Sequence, residues 1–243
     1  MRTLSAWELL QVWEDGVPFS PMGRSLHLLG AACSVADMDS IAELSIGERD
    51  ARLLLLREWL FGTKLFNRIN CPRCGEPAEW AIQTSDIRLQ EPRADAMASV
   101  FELSRGELRL QFRLPNSHDL IRAASGELSD PRRLLAGCVL TVNGEEKDLA
   151  PADLPDEMWE ALEMQMEEQD PQADIRMMIG CPACGHQWET HFDIGVYLWA
   201  EVENWAHRIL REVYLLARAF GWSEYDILTM TPKRRQLYLE MLS

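Results

Sequence analysis

Two short motifs, Cys71-Pro-Arg-Cys74-Gly75 and Cys181-Pro-Ala-Cys184-Gly185, constrain this chain more than any other stretch. Each sets two cysteines three positions apart, so that one tight turn aims both sulfurs at a single point. The glycine after the second cysteine admits positive φ, which lets backbone N–H groups turn toward the sulfurs. The motifs agree further out, as Cys-Pro-x-Cys-Gly-x-x-x-Glu, at an offset of 110 residues. Together they offer four thiolates, the full ligand set of a closed tetrahedral structural zinc site, with Cys71, Cys74, Cys181 and Cys184 as the ligands.

After each motif comes a run that reads as a strand, Glu79–Ile82 and Gln187–Phe192. Knuckle plus strand, twice, is the pattern of a zinc ribbon. Residues 75–180 separate the two pairs, so the ribbon is expected to be split by an inserted segment. A disulfide or a thioredoxin-like redox pair within either motif is the alternative. Redox pairs, however, ordinarily occur singly rather than as a matched couple. Catalytic zinc is disfavoured, because four cysteines leave no open position for water. His186 and His191 lie near the second motif and read as ribbon-surface residues.

A chain of 243 residues, 47% hydrophobic and 26% charged, can bury a substantial core as one or two domains. No run is long and apolar enough for a transmembrane helix, and the N-terminus lacks the pattern of a signal peptide. Four of the six cysteines fall in metal-type pairs, which suits a reducing cytoplasm. Cys33 and Cys138 sit among apolar residues and read as buried small hydrophobes. The net charge of −15 weighs against nucleic-acid binding, which needs basic surface to neutralise phosphates.

The chain then reads as follows. Residues 4–14 form a first helix capped by Ser5 with Glu8, and a turn follows at Asp15-Gly16-Val17-Pro18. Helices are expected over Gly23–Cys33, near Ile41–Leu44 after a turn at Asp37–Ser40, and over Glu48–Phe61. Leu65-Phe66 leads into the first knuckle. Phe101–Leu103 and the strictly alternating Leu108–Leu114 make a hairpin. Asn116-Ser117-His118-Asp119 caps a helix around Leu120–Ala124. Asp130-Pro131 opens another helix through Val139, and Asn143-Gly144 is a tight turn.

Residues 153–170 form an acidic tract, with seven acids in its last fifteen residues. Met158, Trp159, Leu162 and Met166 recur at helical spacing, so the acids read as the solvated face of an amphipathic helix rather than as catalytic carboxylates. Ile175–Ile179 is a strand into the second knuckle. Val196–Phe220 is the longest helical pattern. Ser223 with Asp226, and Thr231-Pro232, cap two short helices after it. The expected class is α+β, mainly α. Its expected divisions are an N-terminal helical region (1–66), the two ribbon halves (67–90 and 175–195), an inserted α+β segment (91–174) and a C-terminal helical region (196–243).

Three stretches of the C-terminal region carry a resemblance: His207–Ala217, then Phe220-Gly-Trp-Ser-Glu-Tyr-Asp-Ile-Leu228, then Arg234-Arg-Gln-Leu-Tyr-Leu239. This pattern resembles the T-even phage baseplate hub and hub-assembly family, including relatives encoded with contractile injection systems. Phe112-Arg-Leu-Pro115 followed by Asp119-Leu120 is similar to a second piece of the larger relatives. The resemblance implies a non-enzymatic structural or assembly protein of a contractile baseplate, meeting hub, spike or wedge proteins. Its implied location is the cytoplasm, where such particles assemble, or the finished particle.

In the same segment Trp222 and Tyr225, on a capped helix, are candidate aromatic anchors for a partner, although Trp222 can equally pack the turn. Lys233, Arg234 and Arg235 are the one compact basic cluster, suited to the rim of a contact with an acidic partner. The alternative function is a zinc-ribbon adaptor of nucleic-acid or transcription machinery. An enzyme is not expected, because no Gly-rich phosphate loop, His-Glu-x-x-His or Gly-x-Ser-x-Gly is present.

Overall fold

The computed structural model describes residues 1–33, 38–93, 99–125, 131–143, 150–151 and 154–242. Asp37, Asp130, Gly144 and Asp153, which bear on the expected turns, cap and acidic tract, lie outside the described residues.

In chain order the first elements are helices α1 (Ala6–Gly16), α2 (Pro21–Ala32), α3 (Met38–Ala42) and α4 (Ile46–Phe61). Then come β1 (Lys64–Asn70), β2 (Pro77–Gln83), α5 (Thr84–Ile87), β3 (Val100–Arg105), β4 (Leu108–Arg113), α6 (Ser117–Ala124), α7 (Pro131–Ala136) and β5 (Val139–Asn143). The remainder is α8 (Asp156–Gln169), a 3₁₀ turn (Pro171–Ala173), β6 (Ile175–Gly180), β7 (Gln187–Phe192), α9 (Ile194–Phe220), α10 (Glu224–Leu228) and α11 (Pro232–Glu240). The class is α+β, mainly helical with small antiparallel sheets. Two compact units result: Met1–Ala36 with Ile194–Ser243, and Asp37–Asp193. Helix α4, grouped by sequence with residues 1–66, belongs to the second of these.

In the first unit Leu10, Ala206, Ile209 and Leu228 form a core between α1, α9 and α10. Ser5 and Glu8 close a capping box on α1, with the Ser5 N–H donating to the Glu8 carboxylate at 2.8 Å. Helix α1 runs on through Gly16 instead of turning at Asp15-Gly16. A Cβ at Gly16 would lie 2.6 Å from the Trp199 ring. The glycine therefore serves close approach of α1 to α9, not a turn.

In the second unit the sheet β3-β4-β5 packs against α8. Met158, Trp159, Leu162 and Met166 of α8 meet Leu110 and Phe112 of β4 and Val142 of β5, and Phe101 stacks on Phe112. The acids of α8 point away from this core, as the helical spacing predicts. One expectation fails: Val139 is not the end of a helix but the start of β5, because α7 stops at Ala136. The local Leu-Leu-Ala propensity carries only six residues before strand pairing with β4 takes over.

Two buried carboxylates hold this unit together. Asp119 caps α6 with Asn116 and accepts from Arg113 at 2.6 and 2.9 Å and from Arg122 at 2.5 Å. Burial pushes this carboxyl up, but the Arg113 fork, the Asn116 N–H and Arg122 outweigh it and bring it down to about 2. Asp170 receives the Gly47 N–H at 2.8 Å and the Ser45 hydroxyl at 3.1 Å, so it binds the N-terminus of α4, where the helix dipole favours an anion. Next to it, Gln172 accepts the Leu89 N–H at 2.7 Å and donates to the Ile87 carbonyl at 3.1 Å. The segment before β6 is thereby tied to both the helix before β1 and the turn after β2.

Two predictions follow from these ties. The folded Asp119 carboxyl lies below the ordinary value near 3.9, so its contribution is complete above about pH 4 and disappears as pH falls through about 2. Asp119→Asn should cost about 2 kcal/mol at pH 7, and urea melts should show the penalty shrinking between about pH 4 and about pH 2. Gly47→Ala tests the second tie. Helix propensity alone predicts a gain of up to about 1 kcal/mol. A Cβ at Gly47, however, would overlap Asp170 Oδ1 well inside van der Waals contact, so a loss of about 1–3 kcal/mol is expected in the same measurement.

Candidate metal centre

Each knuckle is a four-residue turn closed by two backbone hydrogen bonds. The Gly75 N–H donates to the Cys71 carbonyl at 2.9 Å and the Cys71 N–H to the Glu76 carbonyl at 2.9 Å. The second knuckle repeats both, Gly185 to Cys181 at 3.0 Å and Cys181 to His186 at 2.8 Å. Gly75 and Gly185 hold φ of 77° and 70°, and a Cβ at either would meet nothing within 4 Å. Glycine is needed there for the backbone angle rather than for room.

The strands carry the knuckles. β1 and β2 flank the first in an unbroken antiparallel register from Lys64↔Gln83 to Asn70↔Pro77. β6 and β7 flank the second from Ile175↔Phe192 to Gly180↔Gln187. Strand β1 is not evident from the sequence, because Leu65 and Phe66 are adjacent and Asn67-Arg68 follow, which breaks the period-two alternation of a strand. With it the symmetry is complete: two hairpins of the same build, each with two cysteines at its tip.

The tips meet. All four sulfurs lie within 4.8 Å of one another, with Cys71 Sγ 3.8 Å from Cys184 Sγ and Cys74 Sγ 3.6 Å from Cys181 Sγ. Sulfur–sulfur separations of about 3.8 Å are what a tetrahedron with metal–sulfur bonds near 2.3 Å requires. The cysteines are free thiols, not disulfides. Cys71 and Cys181 are buried, while Cys74 and Cys184 are exposed. The Cys184 and Ala183 N–H groups face Cys181 and, against burial, draw its thiol down to about 7. This set of four soft donors fits a metal ion with no open coordination position.

Neither nearby histidine joins the set. The His186 ring stacks on Trp188 at 5.9 Å, and His191 Nδ1 lies 2.7 Å from the Asp174 carboxylate. What sequence spacing missed is the support behind the cluster, Asp170 and Gln172. Asp170, counted with the solvated acids of the tract, is instead buried, and only its partners more than a hundred residues away reveal its role.

The candidate partner residues belong to the C-terminal helical region. Trp222 is half-buried, stacked on Phe220 at 4.5 Å and edge-on to Tyr238 at 4.8 Å, so it packs the turn. Tyr225 is 63% exposed, with its edge against Trp7. Lys233 and Arg234 are exposed, and Arg234 lies over the Tyr238 ring. Arg235 is not a rim residue. It is buried, donating to Glu212 at 3.2 Å and to the Met230 carbonyl at 2.6 Å, which joins α11 to α9.

Among the described residues no helix is long and apolar enough to cross a membrane. Comparisons with curated proteins and with solved structures return no match. The model of one family, described as T4 bacteriophage base plate protein, matches residues 23–195. That span contains both hairpins, both cysteine motifs and the Phe112–Leu120 stretch, and it stops before the C-terminal helical segment that carries the resemblance to T-even baseplate proteins. The chain belongs to the T4 bacteriophage base plate protein family.

Proposed function

We propose that the chain is a non-enzymatic structural or assembly component of a phage-tail-like contractile baseplate, whose fold is fixed by one zinc ion on Cys71, Cys74, Cys181 and Cys184. The observation that supports this most strongly is four free thiols drawn to one point by two hairpins far apart in sequence, inside a span that matches a baseplate family. Zinc suits the set because it accepts four thiolates tetrahedrally and needs no redox partner. Its contribution is structural: it joins the halves of a split ribbon and supplies the positive charge that four closely spaced thiolates require. The partners on this reading are hub, spike or wedge proteins. The chain itself supplies rigid, capped helices rather than a reaction site.

Two outcomes test the proposal. Purified protein should contain one zinc per chain by elemental analysis, and Cys184→Ser should lose the metal and lower the melting temperature by more than about 10 °C. A metal-free wild type, or a Cys184→Ser variant as stable as wild type, would contradict it. For the baseplate role, affinity-tagged chain co-expressed with the particle's own genes should recover hub, spike or wedge proteins in stoichiometric amounts. Salt-sensitive retention of DNA or RNA without them would instead identify a nucleic-acid adaptor.

A further inference from the structure

One arc of α9 has a composition unlike the rest of this acidic chain. Between residues 204 and 220 the only carboxylate is Glu212, and it is engaged by Arg235. Arg208, Arg211, Tyr214, Leu215 and Arg218 recur at intervals of three and four, so they share one face, and all five are exposed. Tyr214 is 59% and Leu215 40% exposed. Arg218 donates to the Tyr214 hydroxyl at 3.3 Å, and among the described residues no carboxylate lies against Arg208 or Arg211. The helix dipole accounts for a cation in the last turn, where Arg218 sits, but Arg208 and Arg211 lie too far from the C-terminus to gain from it.

Helix α8 carries the complementary face. It has no basic residue, and Glu160, Glu163, Met164 and Glu167 share an exposed stripe opposite its buried core residues. Met164 is 61% exposed at the centre of that stripe. Arg211, Tyr214, Leu215 and Arg218 occupy the same relative positions as Glu160, Glu163, Met164 and Glu167. Both stripes therefore place charges about 10 Å apart, with Tyr214 and Leu215 between the arginines and Glu163 and Met164 between the outer carboxylates, and the spacing serves in either helix direction.

We propose that the α9 stripe of one copy docks on the α8 stripe of a second copy of this chain. Arginine–carboxylate pairs flank a Tyr214–Leu215–Met164 contact. Because two different surfaces meet, the contact is heterologous and propagates from copy to copy, as a closed ring or an open chain. Exposed ion pairs on a small apolar centre make it weak, which suits subunits that add one at a time to a larger assembly. The net charge of −15 opposes association at long range, but at about 0.15 M salt that repulsion is screened beyond roughly 8 Å, whereas direct pairs survive. Nucleic acid is disfavoured as the occupant, because the arc interleaves its arginines with leucine and tyrosine and the whole chain repels a polyanion. The inference depends neither on the metal nor on the identity of other baseplate proteins.

The test is sedimentation velocity of the full chain at about 0.15 M salt, from roughly 10 μM to about 1 mM, the range of weak encounters. Wild type should gain mass with concentration. Arg211→Glu/Arg218→Glu and Glu160→Arg/Glu167→Arg should each stay monomeric alone, because each sets like charges against like. Mixed in equal amounts they should associate again, since each restores the other's missing face. If a charge reversal disturbs the circular dichroism, Arg211→Gln/Arg218→Gln replaces it and should weaken association roughly tenfold. Three results would overturn the proposal: a wild type monomeric throughout, arginine variants that associate like wild type, or a mixture of folded variants that stays monomeric. Oligonucleotide binding lost in the arginine variants, without self-association, would do the same and assign the stripe to nucleic acid.

Discussion

Four sulfur atoms crowded within 4.8 Å are the constraint on which the architecture rests. As thiolates they repel, and as neutral thiols they contribute little attraction, so the cluster is suited to hold a cation among them. Its two pairs come from cysteines as much as 113 residues apart. Closing a loop of that length costs about 4 kcal/mol in chain entropy, and local turn propensity repays none of it. The chain meets this cost with structure inside the loop: the β3-β4-β5 sheet and α8 have a core of their own. Asp170 and Gln172 then tie the end of that insertion to α4 and to the turn after β2. The two hairpins are thus brought together by protein contacts before a metal is considered.

The same logic separates roles by charge. Apolar positions of α8 face the inserted sheet while its carboxylates face solvent, and α9 places its arginines on an exposed arc. A baseplate family protein acts through surfaces shared with other subunits, and here the surface carries the two signs on different helices. Buried charges are treated differently. Asp119, Asp170 and Arg235 each have several partners, so they order the chain locally instead of facing outward.

Much of this was legible in sequence because it is local. Cys-x-x-Cys-Gly gave the knuckles, Ser5 with Glu8 gave the first cap, and Met158, Trp159, Leu162 and Met166 gave the face of α8. The hairpin of β3 and β4 followed from strict alternation. The illegible parts are those decided at a distance. Gly16 looks like a turn residue until Trp199 is placed beside it. Val139 looks helical until β4 offers it a ladder. Arg235 looks like part of a surface cluster until Glu212 and the Met230 carbonyl enclose it. The family assignment shows the same contrast, since the matched residues 23–195 lie mostly outside the C-terminal helices that carry the resemblance.

The most direct measurement is zinc K-edge X-ray absorption on the purified chain. Four sulfur scatterers at about 2.3 Å, with no nitrogen or oxygen in the first shell, are predicted for an ion joining both hairpin tips. A shell of two sulfurs completed by nitrogen or oxygen would mean that each Cys-x-x-Cys pair binds separately, and it would contradict a single ion holding the split ribbon closed.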